Sequence, residues 1–340
     1  MSELLRVESL KKYFPLTKTA VIVAVNGVSF SIGHGETLGL VGESGSGKTT
    51  VGRCILRTIE PSAGSIFFDG VDITRCSQAQ FRSMRHRIQL VFQEPFSSLN
   101  PRRSIGDTVE EPVQLQGVLN RHQRRQRVRE VFDAVQLPAS DLDRFPAELT
   151  ASAQQRAGIA RALVTRPDLI VLDEPTSNLD PSVAGEILDL LIAIQEEFGA
   201  SYLFISHDLT AVERVSHRIA IMYLGRIVEL ASTHDILETQ YQPYSRALLS
   251  AVLYPDPHQH LEPFVLEGEI PSPINPPDEC PLASRCPLVQ PGCRSAAPPL
   301  EPVAPDHVAA CYRSGDFVTG RWTGRDQLRR PAKDRPEEGW

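Results

Sequence analysis

Gly42-Glu43-Ser44-Gly45-Ser46-Gly47-Lys48-Thr49 follows the apolar run Thr37-Leu38-Gly39-Leu40-Val41 and leads into Thr50-Val51-Gly52-Arg53-Cys54-Ile55-Leu56. The pattern reads as strand, tight loop, helix. Glycines let the backbone curl so that successive N–H groups point inward, and the helix that starts there adds the positive end of its dipole. Such a loop cradles a polyphosphate. Gly42, Ser44, Gly45, Ser46, Gly47 and Thr50 would line it, Lys48 would reach the β- and γ-phosphates, and the Thr49 hydroxyl would hold Mg²⁺. A purely structural turn would explain the glycines but not the Lys-Thr pair behind a strand.

Working outward, Ile88-Gln89-Leu90-Val91-Phe92 is a second buried-type strand with Gln93 at its end, where open α/β sheets place ligand-binding groups. Leu169-Ile170-Val171-Leu172-Asp173-Glu174 is an apolar strand closing on two carboxylates. Neighbouring side chains diverge on a strand, so one carboxylate can face a metal while the next faces the γ-phosphate. Asp173 would help hold Mg²⁺ and Glu174 would orient or deprotonate the attacking water. Ser201-Tyr202-Leu203-Phe204-Ile205 is a further strand, ending at His207, which is placed for γ-phosphate contact. Upstream, Leu4–Phe14 is a mixed amphipathic stretch and Ala24–Ile32 alternates as a strand, giving an N-terminal β region. From Ser104 to Leu163 the pattern is helical. The basic run Arg121–Arg129 reads as the solvated face of an amphipathic helix, because no aromatics interleave the arginines to stack bases.

The chain has 340 residues, with 35 basic against 42 acidic side chains and a formal charge of −7. That length suggests about two domains, and the acidic balance argues against nucleic acid held by bulk charge. No apolar run approaches the roughly 18 residues needed to span a bilayer, and no charged-then-apolar leader opens the sequence, so a cytosolic chain is expected. Six cysteines in such a chain read as thiols or metal ligands rather than disulfides.

In order, the phosphate loop, Gln93, Leu172-Asp173-Glu174, Ser177-Asn178-Leu179-Asp180 and His207 resemble the nucleotide-binding subunit of an ATP-binding-cassette transporter, over roughly residues 4 to 312. Phe92-Gln93-Glu94-Pro95-Phe96-Ser97-Ser98-Leu99-Asn100-Pro101-Arg102 and Phe145-Pro146-Ala147-Glu148-Leu149 are similar to the oligopeptide, dipeptide and nickel importer ATPases. The resemblance implies a P-loop NTPase of α/β class with an N-terminal antiparallel β region and a helical subdomain at about 104–163. It implies ATP and Mg²⁺ as ligands, with Gln93 and His207 as transmission and switch residues, Glu174 as catalytic base and Asp180 in the dimer-contact loop. Tyr13 resembles the aromatic that stacks on adenine. The implied partners are two transmembrane permease subunits, a second ATPase and an extracytoplasmic binding protein, with this chain peripheral at the cytoplasmic face of the membrane. A soluble ATPase of the same fold acting on DNA or ribosomes is the competing class, disfavoured by the single cassette and the short helical segment.

One segment departs from the family. The usual Leu-Ser-Gly-Gly-Gln is here Leu149-Thr150-Ala151-Ser152-Ala153. Thr150 keeps the hydroxyl that contacts the opposite subunit's ATP, but Ala151 and Ser152 add side chains where glycines allow close backbone approach. An asymmetric pair with a paralogous ATPase is the expectation.

Beyond about Leu253 the composition shifts, and fourteen of the 27 prolines fall between Pro255 and Pro305. Regular helix or sheet core is not expected there. Cys280, Cys286, Cys293 and Cys311 offer a metal centre, zinc or iron-sulfur, with four reduced thiols as the alternative, while Cys54 and Cys76 read as small apolar fillers. The stretch Gly268–Pro277 and these cysteines resemble the C-terminal extension of the peptide-importer ATPases, which implies a four-iron four-sulfur cluster. The expected organisation is an ATPase domain over 1–253, an extension over 254–320 and a polar, mobile tail over 321–340.

Overall fold

The computed structural model describes residues 2–93, 99–251 and 264–318. Its strands are β1 Glu3–Pro15, β2 Val21–Gly33, β3 Thr37–Val41, β4 Ala63–Phe68, β5 Val71–Asp72, β6 Ile88–Val91, β7 Leu169–Asp173, β8 Ser201–Ser206, β9 Arg218–Tyr223, β10 Arg226–Ser232, β11 Glu301–Ala304 and β12 His307–Ala309. They form one sheet in the order β11-β12-β10-β9-β3-β8-β7-β6 and a second, antiparallel sheet in the order β2-β1-β4-β5.

Strands β6, β7, β8, β3 and β9 run parallel. All of β3 and β8 is buried, as unbroken apolar runs covered on both faces require. Alternate residues serve two cores. Ile170, Leu172, Tyr202 and Phe204 meet helix residues such as Val109, Phe132 and Leu191, whereas Val171, Leu203 and Ile205 meet Leu4, Phe30 and Phe68 of the second sheet.

The stretch Leu4–Phe14, read from the sequence only as amphipathic, is the long strand β1. Its alternation is broken by register shifts and by Ser9, which sits at φ 46°. Gly64 follows from that kink. At φ 88° it passes so close to β1 that a Cβ there would stand 2.4 Å from the Ser9 carbonyl oxygen.

Between β6 and β7 lie helices Ile105–Gln116, Arg121–Ala134 and Ala151–Leu163. Arg121–Ala134 opens with a capping box of Asn120 and Gln123 and turns Val128, Val131 and Phe132 inward. Most of the basic run thus lies on the outer face, while the largely covered Arg124 pairs with Glu110 at 2.7 Å.

The C-terminal region requires a correction, because its proline density suggested no sheet there. β12 pairs with β10 through Glu229↔Ala309 and Leu230↔Val308, and β11 continues the sheet. Pro302 is tolerated because β11 is the outermost strand, where a missing N–H breaks no ladder. Pro273–Asn275 also lies along β2: Val23 N–H donates to the Pro273 carbonyl at 2.9 Å and Asn275 N–H to that of Val21 at 3.0 Å. The Asn275 side chain accepts from Val21 N–H and donates to the Thr19 carbonyl, at 3.0 and 2.9 Å. The expected tail over 321–340 and the segment Glu94–Ser98 lie outside the described residues.

Candidate active site

The phosphate loop leaves β3 and enters helix Lys48–Ile55. Gly47 has φ 102°, and a Cβ there would lie 2.1 Å from the Ala24 carbonyl oxygen. Only glycine fits. Lys48 is 5% exposed and its Nζ donates to the Gly42 and Glu43 carbonyls at 2.6 and 2.9 Å. Burial pulls its pKa down against the opposing pull of Glu174, Asp173 and Glu43.

Since β3, β8, β7 and β6 are consecutive neighbours, their carboxyl ends gather the remaining groups beside the loop. Thr49 Oγ1 donates to Asp173 Oδ1 at 3.0 Å, the two side chains assigned to Mg²⁺. Burial raises the Asp173 pKa and Glu174 adds to the rise, while Thr49, Arg53 and Lys48 oppose it. A half-buried acid short of compensating charge, beside a threonine hydroxyl, fits a hard divalent cation.

Glu174 collects the other two predicted residues. Its Oε2 accepts from Gln93 Nε2 at 3.1 Å and lies 3.3 Å from His207 Nδ1. The Asn178 amide donates to the Gln93 carbonyl at 3.4 Å. One sequence argument is corrected here: β7 ends at Asp173, and Glu174 adopts φ 48° with its N–H donating to the Ile205 carbonyl at 2.8 Å. The two carboxylates diverge because the chain turns, not because a strand pleats.

The remaining predicted residues lie around this centre. Ser46 and Gly45 shape the loop, with Ser46 N–H donating to the Glu43 carbonyl at 3.1 Å, and Ser44 is exposed. Thr50 lies in the first turn of the helix. Asp180 is the N-cap residue of helix Pro181–Phe198. Tyr13 pairs with Val23 across β1 and β2, and its hydroxyl donates to Asn26 Oδ1 at 3.2 Å. Asn26 N–H donates to the Gly225 carbonyl and Gly225 N–H to that of Ser46, so Tyr13 is three hydrogen-bonded links from the loop. Thr150 caps helix Ala151–Leu163, its hydroxyl accepting from Ala153 N–H at 3.2 Å. Sequence reasoning missed the turn Leu224-Gly225, Arg53 and Arg285. The turn alone carried a local signal, a glycine between two apolar runs.

All six cysteines are free thiols. Cys280, Cys286, Cys293 and Cys311 line one small, mainly apolar pocket. Burial pushes Cys280 to about 11, Cys311 to about 12 and Cys286 upward, with nearby cysteines adding to each rise. Among the described residues no three His, Cys, Asp or Glu side chains stand as a ready metal-ion site. Cys280, Cys286 and Cys311 are thus held as protonated thiols, and the expectation of a preformed metal centre is corrected to that extent.

A phosphate-cradling loop, an Mg²⁺ pair and a carboxylate held by an amide and an imidazole, all on one parallel sheet, define a P-loop nucleoside triphosphatase. Residues 25–177 match the family described as ABC transporter, and residues 228–293 match the oligopeptide/dipeptide transporter, C-terminal region. The chain is 46% identical over 310 residues to a protein of Brucella ovis named as a peptide import ATP-binding protein, covering 91% of this chain and 98% of that one. It is 42% identical over 318 residues to the oligopeptide transport ATP-binding protein AppF of Bacillus subtilis, covering 91% and 97%. Among solved structures, the bacterial ABC transporter cassette MJ0796 superposes with TM-score 0.63 at 27% identity, covering 68% of this chain and 99% of that one. CbiO1 of Clostridium perfringens, part of an ABC transporter complex, gives TM-score 0.63 at 27% identity over 70% and 92%. The chain belongs to the ATP-binding subunits of ABC transporters, in the oligopeptide/dipeptide branch, and is an ATPase whose hydrolysis drives transport.

Proposed function

We propose that this chain powers import of oligopeptides or dipeptides, seated at the cytoplasmic face of the membrane beneath two permease subunits that receive solute from an extracytoplasmic binding protein. The observation that carries the reading is the phosphate loop and Glu174 cluster joined in one chain to a C-terminal region of the peptide-transporter type. Residues 1–253 form the ATPase unit, with a helical subdomain over about 104–163, and 254–320 the extension. Lys48 and the loop amides bind phosphates, Thr49, Asp173 and Gln93 hold Mg²⁺ directly or through water, Glu174 activates water and His207 senses the γ-phosphate. Tyr13 stacks on the base. Where the helical layer meets the sheet, a cavity of about 390 Å³ is lined by Arg82, Arg85, His86, Gln89, Leu115 and Thr165. Leu115 is 81% exposed, which suits a permease segment bringing an apolar side chain and acidic groups. In proteoliposomes holding the whole complex, labelled di- and oligopeptides should accumulate on ATP addition. Accumulation of nickel instead, or ATPase stimulation by DNA or ribosomes alone, would overturn the reading.

The active assembly is a heterodimer. Thr150-Ala151-Ser152-Ala153 caps its helix as a serine signature would, but side chains at 151 and 152 keep an opposite nucleotide from the backbone. This chain's loop and Glu174 therefore work with the signature of a paralogous ATPase. Asp180 lies at their contact.

The extension thiols take a four-iron four-sulfur cluster. Zinc would need four sulfurs about 3.8 Å apart, given Zn–S near 2.3 Å, and that arrangement is not present among the described residues. Four sulfurs lining one small, mainly apolar pocket, with burial raising the pKa of Cys280, Cys286 and Cys311, are the ligands that such a cluster would deprotonate and hold. Anaerobically purified protein should contain iron without zinc and absorb broadly in the visible range; colourless, metal-free protein of equal stability would remove the cluster.

A further inference from the structure

The C-terminal extension reaches the phosphate loop itself. Arg285, in the turn between Cys280 and Cys286, places Nη1 3.4 Å from Glu43 Oε2 and 3.3 Å from the Tyr223 hydroxyl. The Arg285 side chain is 12% exposed and that of Glu43 32%, so water screens the pair only in part. Glu43 is engaged on its other sides as well. Its N–H donates to the Tyr244 hydroxyl at 2.9 Å, and its carbonyl accepts from Lys48 Nζ at 2.9 Å and from Ser46 N–H at 3.1 Å. Tyr223 and Tyr244 pack against each other with ring centroids 4.5 Å apart and their planes tilted by 43°. The phosphate-loop pattern demands no particular side chain after its first glycine. Yet this one joins a residue 242 positions later to the loop whose carbonyls hold the catalytic lysine.

We propose that Arg285 is a positioning residue for the phosphate loop: by fixing Glu43, it lets the C-terminal extension set the loop's conformation and so its affinity for MgATP. This rests on reading the loop as the ATP site. Arg285 touches no nucleotide in this account and acts only through Glu43. The loss should therefore appear in binding rather than in the chemical step.

The test uses the full-length chain in its assembled transporter, with steady-state hydrolysis and melting temperature measured together. Arg285→Gln should raise the KM for MgATP about fivefold, the lower end of common coupling between sites, with kcat changed less than twofold. Arg285→Lys, keeping the charge, should recover part of the affinity. Glu43→Gln should reproduce the effect, and the double variant should be no worse than either single one, because both remove the same contact. Asn275→Ala loosens another of the extension's tethers without touching Glu43; it should lower the melting temperature and leave the KM alone. An unchanged KM in Arg285→Gln, additive losses in the double variant, or a KM shift in Asn275→Ala matching that of Arg285→Gln would each overturn the proposal. Wild-type protein that hydrolyses no ATP, or Lys48→Ala that hydrolyses normally, would instead defeat the ATPase reading itself.

Discussion

Glu174 shows how much one residue's backbone can decide. A non-glycine residue in the left-handed region costs on the order of 1–3 kcal/mol, and at φ 48° Glu174 is held there by its N–H bond to the Ile205 carbonyl. That turn swings its carboxylate toward Gln93 and His207 while Asp173 stays with Thr49. Glu174→Gln keeps the shape and removes the base. Hydrolysis should fall about a hundredfold or more while ATP binding persists; equal turnover would take Glu174 out of the mechanism. Asp173 gives a prediction about pH. Its pKa is raised in the fold, chiefly by burial, so its contribution to stability is full below the unfolded value, about 3.9, and is lost as pH rises through the folded one. Without Mg²⁺, Asp173→Asn should therefore melt higher than wild type at neutral pH, with the gap closing toward pH 4, and should have lost Mg²⁺-dependent hydrolysis. A gap of constant size would show that the burial of this charge costs nothing.

At the scale of the element, helix Ala151–Leu163 offers the sharpest experiment. Its N-terminus is intact as a cap, because Thr150 accepts from Ala153 N–H, and altered only as a surface, because Thr150 and Ala151 are exposed and Ser152 and Ala153 partly so. The proposed heterodimer would make the two halves of this chain unequal: its phosphate loop would serve the productive site and its signature helix the weak one. Lys48→Ala should abolish transport, whereas restoring Ser-Gly-Gly-Gln at 150–153 should add little to transport or raise hydrolysis that solute no longer controls. Full-rate, cooperative hydrolysis by the isolated chain as a homodimer would contradict this. The sequence displayed these elements unevenly. The apolar runs before the loop, Asp173 and His207 were legible because strands buried on both faces leave no polar alternation to confuse. β1 was not, because a kink at Ser9 and an exposed face break its period. β11 and β12 hid behind prolines that an outermost strand can carry.

Across the whole molecule, the illegible parts are the distant pairings. Arg285 with Glu43 and Asn275 with Val21 join residues 242 and 254 positions apart, and no local pattern announces either. The site's core was readable because its members lie at, or a few residues beyond, the ends of strands; what braces the site was not, because bracing comes from a region whose composition suggests only loops. The strap of Pro273–Asn275 on β2 also has a temporal consequence. β2 is the outer strand of its sheet, and its edge N–H and C=O groups at Val21 and Val23 are covered by a segment made about 250 residues later. Synthesis at about 5–20 residues per second leaves that edge bare for roughly 13–50 s after Val21 is made. An open strand edge is a template for pairing with another chain, so during this interval the nascent chain needs a chaperone or neighbouring residues to shield it. Closure of that edge thereby waits on the synthesis of Pro273–Asn275.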